Sequence, residues 1–249
     1  MKKTRILMGM PITIEVVDPS VSAESINKVF DYFDYVDKKF SLYKETSEIS
    51  KINLGKIKKS KHSHDMEEVF DLSEKTRLET DGYFDIRKNG KFDTNGLVKG
   101  WSIFNASKIL SNEGFKNFYI EAGGDIQAIG QNAKNEKWKV GIRNPFNANE
   151  VVKVIAISNL GVATSGTYVR GQHIYNPHQA NEPIVEILSL TVIGPNVYET
   201  DRFATAAFAM GRKGIEFIDK LHGFEGYMID KDGIATMTEN FEKYVVKND

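Results

Sequence analysis

The sequence predicts an α+β fold built as one compact unit. Helical periodicity gathers early in the chain, while short strand-like runs broken by glycine, asparagine and proline gather late. Regular alternation of strand and helix, the mark of a parallel α/β sheet, is missing. The 249 residues show neither an internal repeat nor a linker of shifted composition, and that length suits one large domain or two small ones.

"ITIEVV" (12–17) alternates apolar and polar residues like a half-buried strand. The stretch after it places Ile26, Val29, Phe30, Phe33, Val36 and Phe40 at helical spacing, with Ser22 positioned to cap the first turn. A second amphipathic helix is expected over 65–78. A third is expected from about residue 96 to about 110, ended by "SNEG". Short strands are then expected at "NFYIEA", "DIQAIG", "KWKVGIR", "VVKVIAIS", "GVATSG", "TYVRG" and "HIYNP", and a longer one at "VEILSLTVIG". "YETDRFATAAFAMG" (198–211) is apolar on nearly every side and reads as a buried helix. "EGYMIDKDGIATM" closes the chain as a hairpin with Asp-Gly in its turn.

Composition narrows the function classes. Net charge is −1, which offers no field for nucleic acid or an anionic membrane. The lysine cluster "KIKKSKHSH" (56–64) is interrupted and reads as a solvated loop. With no cysteine, disulfides, thiolate nucleophiles, sulfur-built zinc sites and a lipid-anchoring cysteine are all excluded. No apolar run approaches the roughly 18 residues of a membrane span, and "MKKTRILMGMPITIEVV" lacks the apolar centre of a signal peptide. These features lead to an expectation of a soluble, cytoplasmic protein with no membrane insertion.

Several polar residues need explaining. Asp201 lies in the apolar helix, one turn before Thr205, so both project from one face. A buried carboxylate is costly unless hydrogen-bonded, paired or bound to a metal. The pair supplies hard oxygens suited to Mg²⁺, which takes few protein ligands; equally, Asp201 can cap the helix while Thr205 bonds back to the preceding turn. Both accounts fit the sequence. In "DTNGLVKGWS" (93–102), Gly96 and Gly100 permit close backbone approach and Lys99 sits early in a helix, where it suits either a bound anion or a solvent-facing position. "EAGGDIQAIG" (121–130) reads as a tight turn at its paired glycines. In "GVATSGTYVRGQHIYNP" (161–177), small residues interrupt a strand region before Arg170 and His173. Ser165 has no GxSxG frame and reads as a ligand contact or turn residue. His173 reads as a general base or as a structural histidine.

In this order, these pieces resemble the ApbE family of FAD:protein FMN transferases, over about residues 7–236. "MGMPITIEV" resembles the family's opening Met-Gly-Thr strand, and "FSLYKETSEISKIN" its loop and helix with Ser-Glu-Ile-Ser and a closing Asn. "DTNGLVKGW" resembles Asp-Leu-Gly-Gly-Ile-Ala-Lys-Gly-Tyr; "AGGDIQAIG", "VATSGTYVR" with "HIYNP", and "TDRFATAAFAMG" resemble the remaining blocks. The resemblance implies one ApbE-like, T-fold-related domain over 1–249, with a mostly antiparallel sheet and packed helices. It implies an enzyme that cleaves the FAD pyrophosphate, transfers FMN to a Ser or Thr hydroxyl of an acceptor protein and releases AMP, with Mg²⁺ required. Some relatives hydrolyse FAD instead, and some mainly bind it.

By the same resemblance, Asp201 and Thr205 supply metal-binding side chains and Val98 a backbone carbonyl. His173 and Asp201 are the implied catalytic residues. Met8, Tyr43, Gly96, Lys99, Gly123, Gly124, Asp125, Thr164 and Ser165 are the implied FAD contacts. The chain departs from the family pattern at Asn95, where glycine is usual, at Phe104, where aspartate is usual, at Ile86-Arg87 in place of Pro-Thr, and at Asn176 in place of Asp. Phe104 removes a polar group near the cofactor.

Overall fold

The structure, a computed structural model, describes residues 1–167, 174–179 and 182–247. Eighteen helices and strands order along it as β1 (Lys2–Leu7), β2 (Met10–Val16), α1 (Ala23–Phe40), α2 (Glu48–Asn53), α3 (His64–Glu79), β3 (Arg87–Lys88), β4 (Lys91–Phe92), α4 (Asn95–Asn112), β5 (Phe118–Ala122), β6 (Asp125–Ile129), β7 (Trp138–Asn144), β8 (Asn147–Ile157), β9 (Leu160–Gly166), β10 (Ile187–Gly194), α5 (Val197–Ala209), α6 (Gly214–Asp219), β11 (Glu225–Asp230) and β12 (Ala235–Met237). The α+β class follows from this order.

Serine hydroxyls start the early helices: Ser22, Ser47 and Ser63 each accept a backbone N–H from three residues on. Eight strands form one sheet in the order β1-β2-β5-β6-β9-β10-β11-β12, and its neighbours pair antiparallel. Two-residue turns set the register at one end. Gly123 and Gly124, both at positive φ, join β5 to β6 so that Ala122 faces Asp125.

One face of the sheet carries the helices. Ile12, Ile14, Ile120 and Phe118 pack against Phe30, Phe33, Ile103 and Ala106 of α1 and α4, while Leu190 and Val192 pack against Ala204, Ala207 and Phe208 of α5. The other face is packed by β7 and β8, a separate antiparallel ribbon whose Trp138, Val140 and Ile155 meet Val162, Ile193 and Tyr227. Strand β10 is therefore sandwiched, which explains its nearly unbroken apolar run.

The structure differs from the sequence expectations at several points. β1 and α6 are additions. Residues 174–177 of "HIYNP" are not a strand: they lead into a 3-10 turn at Pro177–Gln179. Pro177 removes a ladder donor there, and Tyr175 instead donates to the carbonyls of Asp85 and Arg87 at 2.9 and 3.1 Å. "TYVRG" falls on residues 167–171, of which all but Thr167 lie outside the described residues. "GVATSG" is an uninterrupted strand, β9.

Candidate active site

Three elements far apart in sequence meet where α4 crosses α5. Gly100 allows the crossing: a Cβ there would lie 2.6 Å from Asp201 Cβ and 2.8 Å from the Val197 carbonyl. The close approach lets the Gly100 N–H donate to Asp201 Oδ2 at 2.8 Å. One turn further along α5, Thr205 stands against Gly96, whose added Cβ would lie 3.2 Å from Thr205 Cγ2. Lys99, between these glycines, reaches Asp125 Oδ2 at 2.6 Å and Asp201 Oδ1 at 3.4 Å. Asp125, first residue of β6, accepts the Thr164 N–H through Oδ1 at 3.1 Å. Helix α5 is tied to the same strand through Gln127 Oε1, which accepts the Val197 N–H at 2.8 Å.

Both carboxylates are fully buried, and this sets their electrostatics. Burial pushes the Asp201 carboxyl up, Lys99 draws it down, the neighbouring Asp125 pushes it up again and the Gly100 N–H opposes; the balance is a value raised to about 7. The question raised by Asp201 thus has an answer within the chain: an ammonium and a backbone amide satisfy it.

Most of the expected site residues gather here. Lys99, Gly123, Gly124 and Thr164 line a cleft of about 890 Å³ that runs under the β7–β8 ribbon past Tyr119 and Trp138. Asp125 and Asp201 lie behind its Lys99 wall. The Thr164 hydroxyl shares a hydrogen bond with Thr191 at 2.8 Å. Val98 is buried in the helix core, with its backbone on the turn between Gly96 and Gly100. Met8, at φ 52 in the β1–β2 turn, touches both helix-side cores.

Other expectations are corrected. Ser165 is a strand residue with a buried side chain, not a turn residue, because β9 points it away from the face that carries Thr164. Tyr43 is 92% exposed, free to meet a ligand. Lys99 does not simply face solvent: two carboxylates hold it at the wall of the cleft. Phe104 packs against both helix-side cores and carries Lys108 over its ring at 4.3 Å, so the departure from aspartate is filled by apolar contact. His173 lies outside the described residues; the flanking turn is docked by His178 Nε2 on the Asp81 carbonyl at 2.8 Å.

The sequence did not reveal that Asp125 and Asp201 share one cation, or that Gly100 is a donor to the site. The Gly-Gly-Asp turn and the Lys-Gly pair were signals for each half, but nothing local joins them. The donor set suits a small hard cation: a buried carboxylate, a half-buried hydroxyl and a second buried carboxylate, already balanced by a positive charge. These residues fit Mg²⁺.

The profile of the ApbE family matches residues 8–90 and 86–228. The FAD:protein FMN transferase of Salmonella typhimurium strain LT2 is 26% identical over 169 residues, covering 63% of this chain and 48% of the relative. That of Escherichia coli strain K12 is 27% identical over 167 residues, covering 62% and 47%. The chain spans about half the length of the curated relatives it matches. In crystal structure, the ApbE protein of Thermotoga maritima superposes with a TM-score of 0.88 at 21% identity, covering 99% of each chain. The flavin transferase ApbE of Vibrio cholerae gives 0.85 at 20% identity, covering 98% of each. At these identities the structural likeness is one of fold.

Proposed function

The chain belongs to the ApbE family, and from that premise we propose that it is a Mg²⁺-dependent FAD:protein FMN transferase acting as one unit over residues 1–249. It moves the FMN half of FAD to a Ser or Thr hydroxyl of an acceptor protein and releases AMP. The observation that carries this reading is Lys99, which lines a cleft large enough for a dinucleotide and holds the buried Asp125 and Asp201 behind it, with Thr205 one turn along α5 against Gly96. The relatives' shared name supports it.

The reaction forms a bond between the acceptor oxygen and the FMN phosphorus and breaks the pyrophosphate P–O bond, with the electron pair leaving on AMP. The hydroxyl proton passes to a base, a role assigned to His173. Asp201 and Thr205, with the Val98 carbonyl, would hold the cation, which when bound supplies charge neutralisation for the phosphoryl oxygens. Lys99 brings a positive charge to the cleft wall. The Gly123–Gly124 turn offers backbone without side chains, so a phosphate or ring can approach closely. Thr164 lines the same cleft.

A second reading is FAD hydrolysis to FMN and AMP, the same site with water as acceptor. Incubation of the protein with FAD, with and without Mg²⁺ and an acceptor protein, separates the two. Mg²⁺-dependent AMP with covalent flavin on the acceptor is expected, whereas AMP with free FMN assigns hydrolysis. Intact FAD in the presence of acceptor and Mg²⁺ leaves a flavin-binding protein and overturns both. Among the described residues no helix is long and apolar enough to cross a membrane. The cytoplasmic location belongs to this proposal and is read by cell fractionation.

A further inference from the structure

The two carboxylates at the α4–α5 crossing are satisfied in the same asymmetric way. Each gives one oxygen to a backbone amide: Asp125 Oδ1 to Thr164 and Asp201 Oδ2 to Gly100. Each turns its other oxygen to the same ammonium, at 2.6 Å for Asp125 Oδ2 and 3.4 Å for Asp201 Oδ1. One ammonium serves two buried carboxylates at the wall of the cleft. The grip is also uneven, with the longer contact on Asp201. Lysine suits such a position because its ammonium is a compact point charge on a flexible stem.

We propose that Lys99 is a place-holding cation, occupying the gap between Asp125 and Asp201 until a divalent cation displaces it from Asp201 Oδ1. On displacement its ammonium stays with Asp125 and remains in the wall of the cleft, beside the position a phosphate would take. This deepens the metal assignment of the proposed function and rests on it. The device has a physical reason: two buried carboxylates without a counter-ion would repel each other and strain the fold. A cation of single charge gains little by evicting an ammonium, whereas a doubly charged one does. Lys99 therefore lowers cation affinity in return for a folded, metal-free site.

The test uses the full chain and Mn²⁺ as probe, followed by electron paramagnetic resonance, with Mg²⁺ in competition, each with and without FAD. Lys99→Met is expected to bind Mn²⁺ at least about tenfold tighter than the unmodified chain, because a positive charge has left the site. Without cation its melting temperature should fall, and Mn²⁺ should raise it by more than it raises that of the unmodified chain. Adding Asp201→Asn to Lys99→Met should abolish the gain. If Lys99→Met does not fold, Asp125→Asn is compared with Asp125→Asn/Lys99→Met, and the double variant should again bind tighter. Equal or weaker binding in the lysine variants, with Asp201-dependent binding in the unmodified chain, overturns the place-holder and leaves the metal assignment standing. Absence of any Asp201-dependent binding, with or without FAD, overturns both.

Discussion

Helix α5 carries two buried charge clusters on adjacent residues, and they are wired in opposite senses. At Asp201 the anions are inside: side-chain exposure is 3% for Asp201 and 1% for Asp125, while Lys99 keeps 18%. At Arg202 the cation is inside, at 4%, while its partners Glu79 and Glu199 keep 37% and 22%. Arg202 spends its planar fork fully: it binds both glutamates, its Nη1 lies 3.4 Å from Thr76 Oγ1, and its guanidinium sits 3.8 Å over the Phe203 ring. Both clusters hold one cation and two carboxylates, yet one is closed and the other is not. The Arg202 glutamates are partly exposed and the arginine binds Glu79 and Thr76 of α3 as well as Glu199, which makes a clamp between α3 and α5. The buried carboxylates of the other cluster are held by a single ammonium beside a cleft and by one backbone amide each.

The sharpest way to break this contrast is to change each centre. Asp201→Asn should cut Mg²⁺-dependent AMP release by at least about 100-fold, as expected for loss of a metal ligand. Its melting temperature without cation should stay level or rise, because Lys99 keeps Asp125. Arg202→Met should do the reverse. Stranding two glutamates and emptying the fork should cost about 3 kcal/mol, a fall of roughly 6–12 °C for a chain of this size, with activity per folded molecule retained. Equal losses of activity in both variants would show that the two clusters act as one.

Gly100→Ala tests the geometry that makes the Asp201 cluster possible. Its new Cβ would press on Asp201 and on the Val197 carbonyl, so overpacking should cost about 1–3 kcal/mol by denaturant titration. The hydrogen bond from residue 100 to Asp201 should lengthen with it.

The smallest effect belongs to a third cluster at the surface, which serves as a control. Burial draws the Asp65 carboxyl up, but the Tyr35 hydroxyl and Lys39 outweigh it, so its value lies below the ordinary one. A carboxylate lowered in the fold adds stability above its unfolded value, near pH 4, and that contribution is lost as pH falls through the folded value. Asp65→Asn should therefore flatten the acid limb of the stability curve, by about 0.5 kcal/mol or less because water screens the pair.

Much of this molecule was legible in its residues. The helices were readable because their apolar periodicity agrees with a serine cap, as at Ser22 and Ser63. The Gly-Gly turn and the closing hairpin follow from local backbone rules. β1 was not legible, since its residues are exposed or half-buried on both faces and leave no alternation. Nor was it legible that β7 and β8 stand apart as a ribbon, because their alternation equals that of any sheet strand. For the site, the residue types at 99, 125, 201 and 205 were apparent singly. Their pairing was not, because it depends on which helix crosses which strand. Ser165 was misread as a turn residue because its small neighbours hide the pairing of β9 with β10.

The contacts that assemble the site also fix when it comes into being. Gly100 reaches Asp201 across 101 positions, and Gln127 reaches Val197 across 70. Such closures are late events in folding, paid for in loop entropy before they return any contact energy. A chain emerging during synthesis holds its lysine and its strand carboxylate early, but gains a cation pocket only once α5 has docked. The Lys99–Asp125–Asp201 cluster is consequently a signature of completed folding, and a protein stalled before that step exposes no half-built version of it.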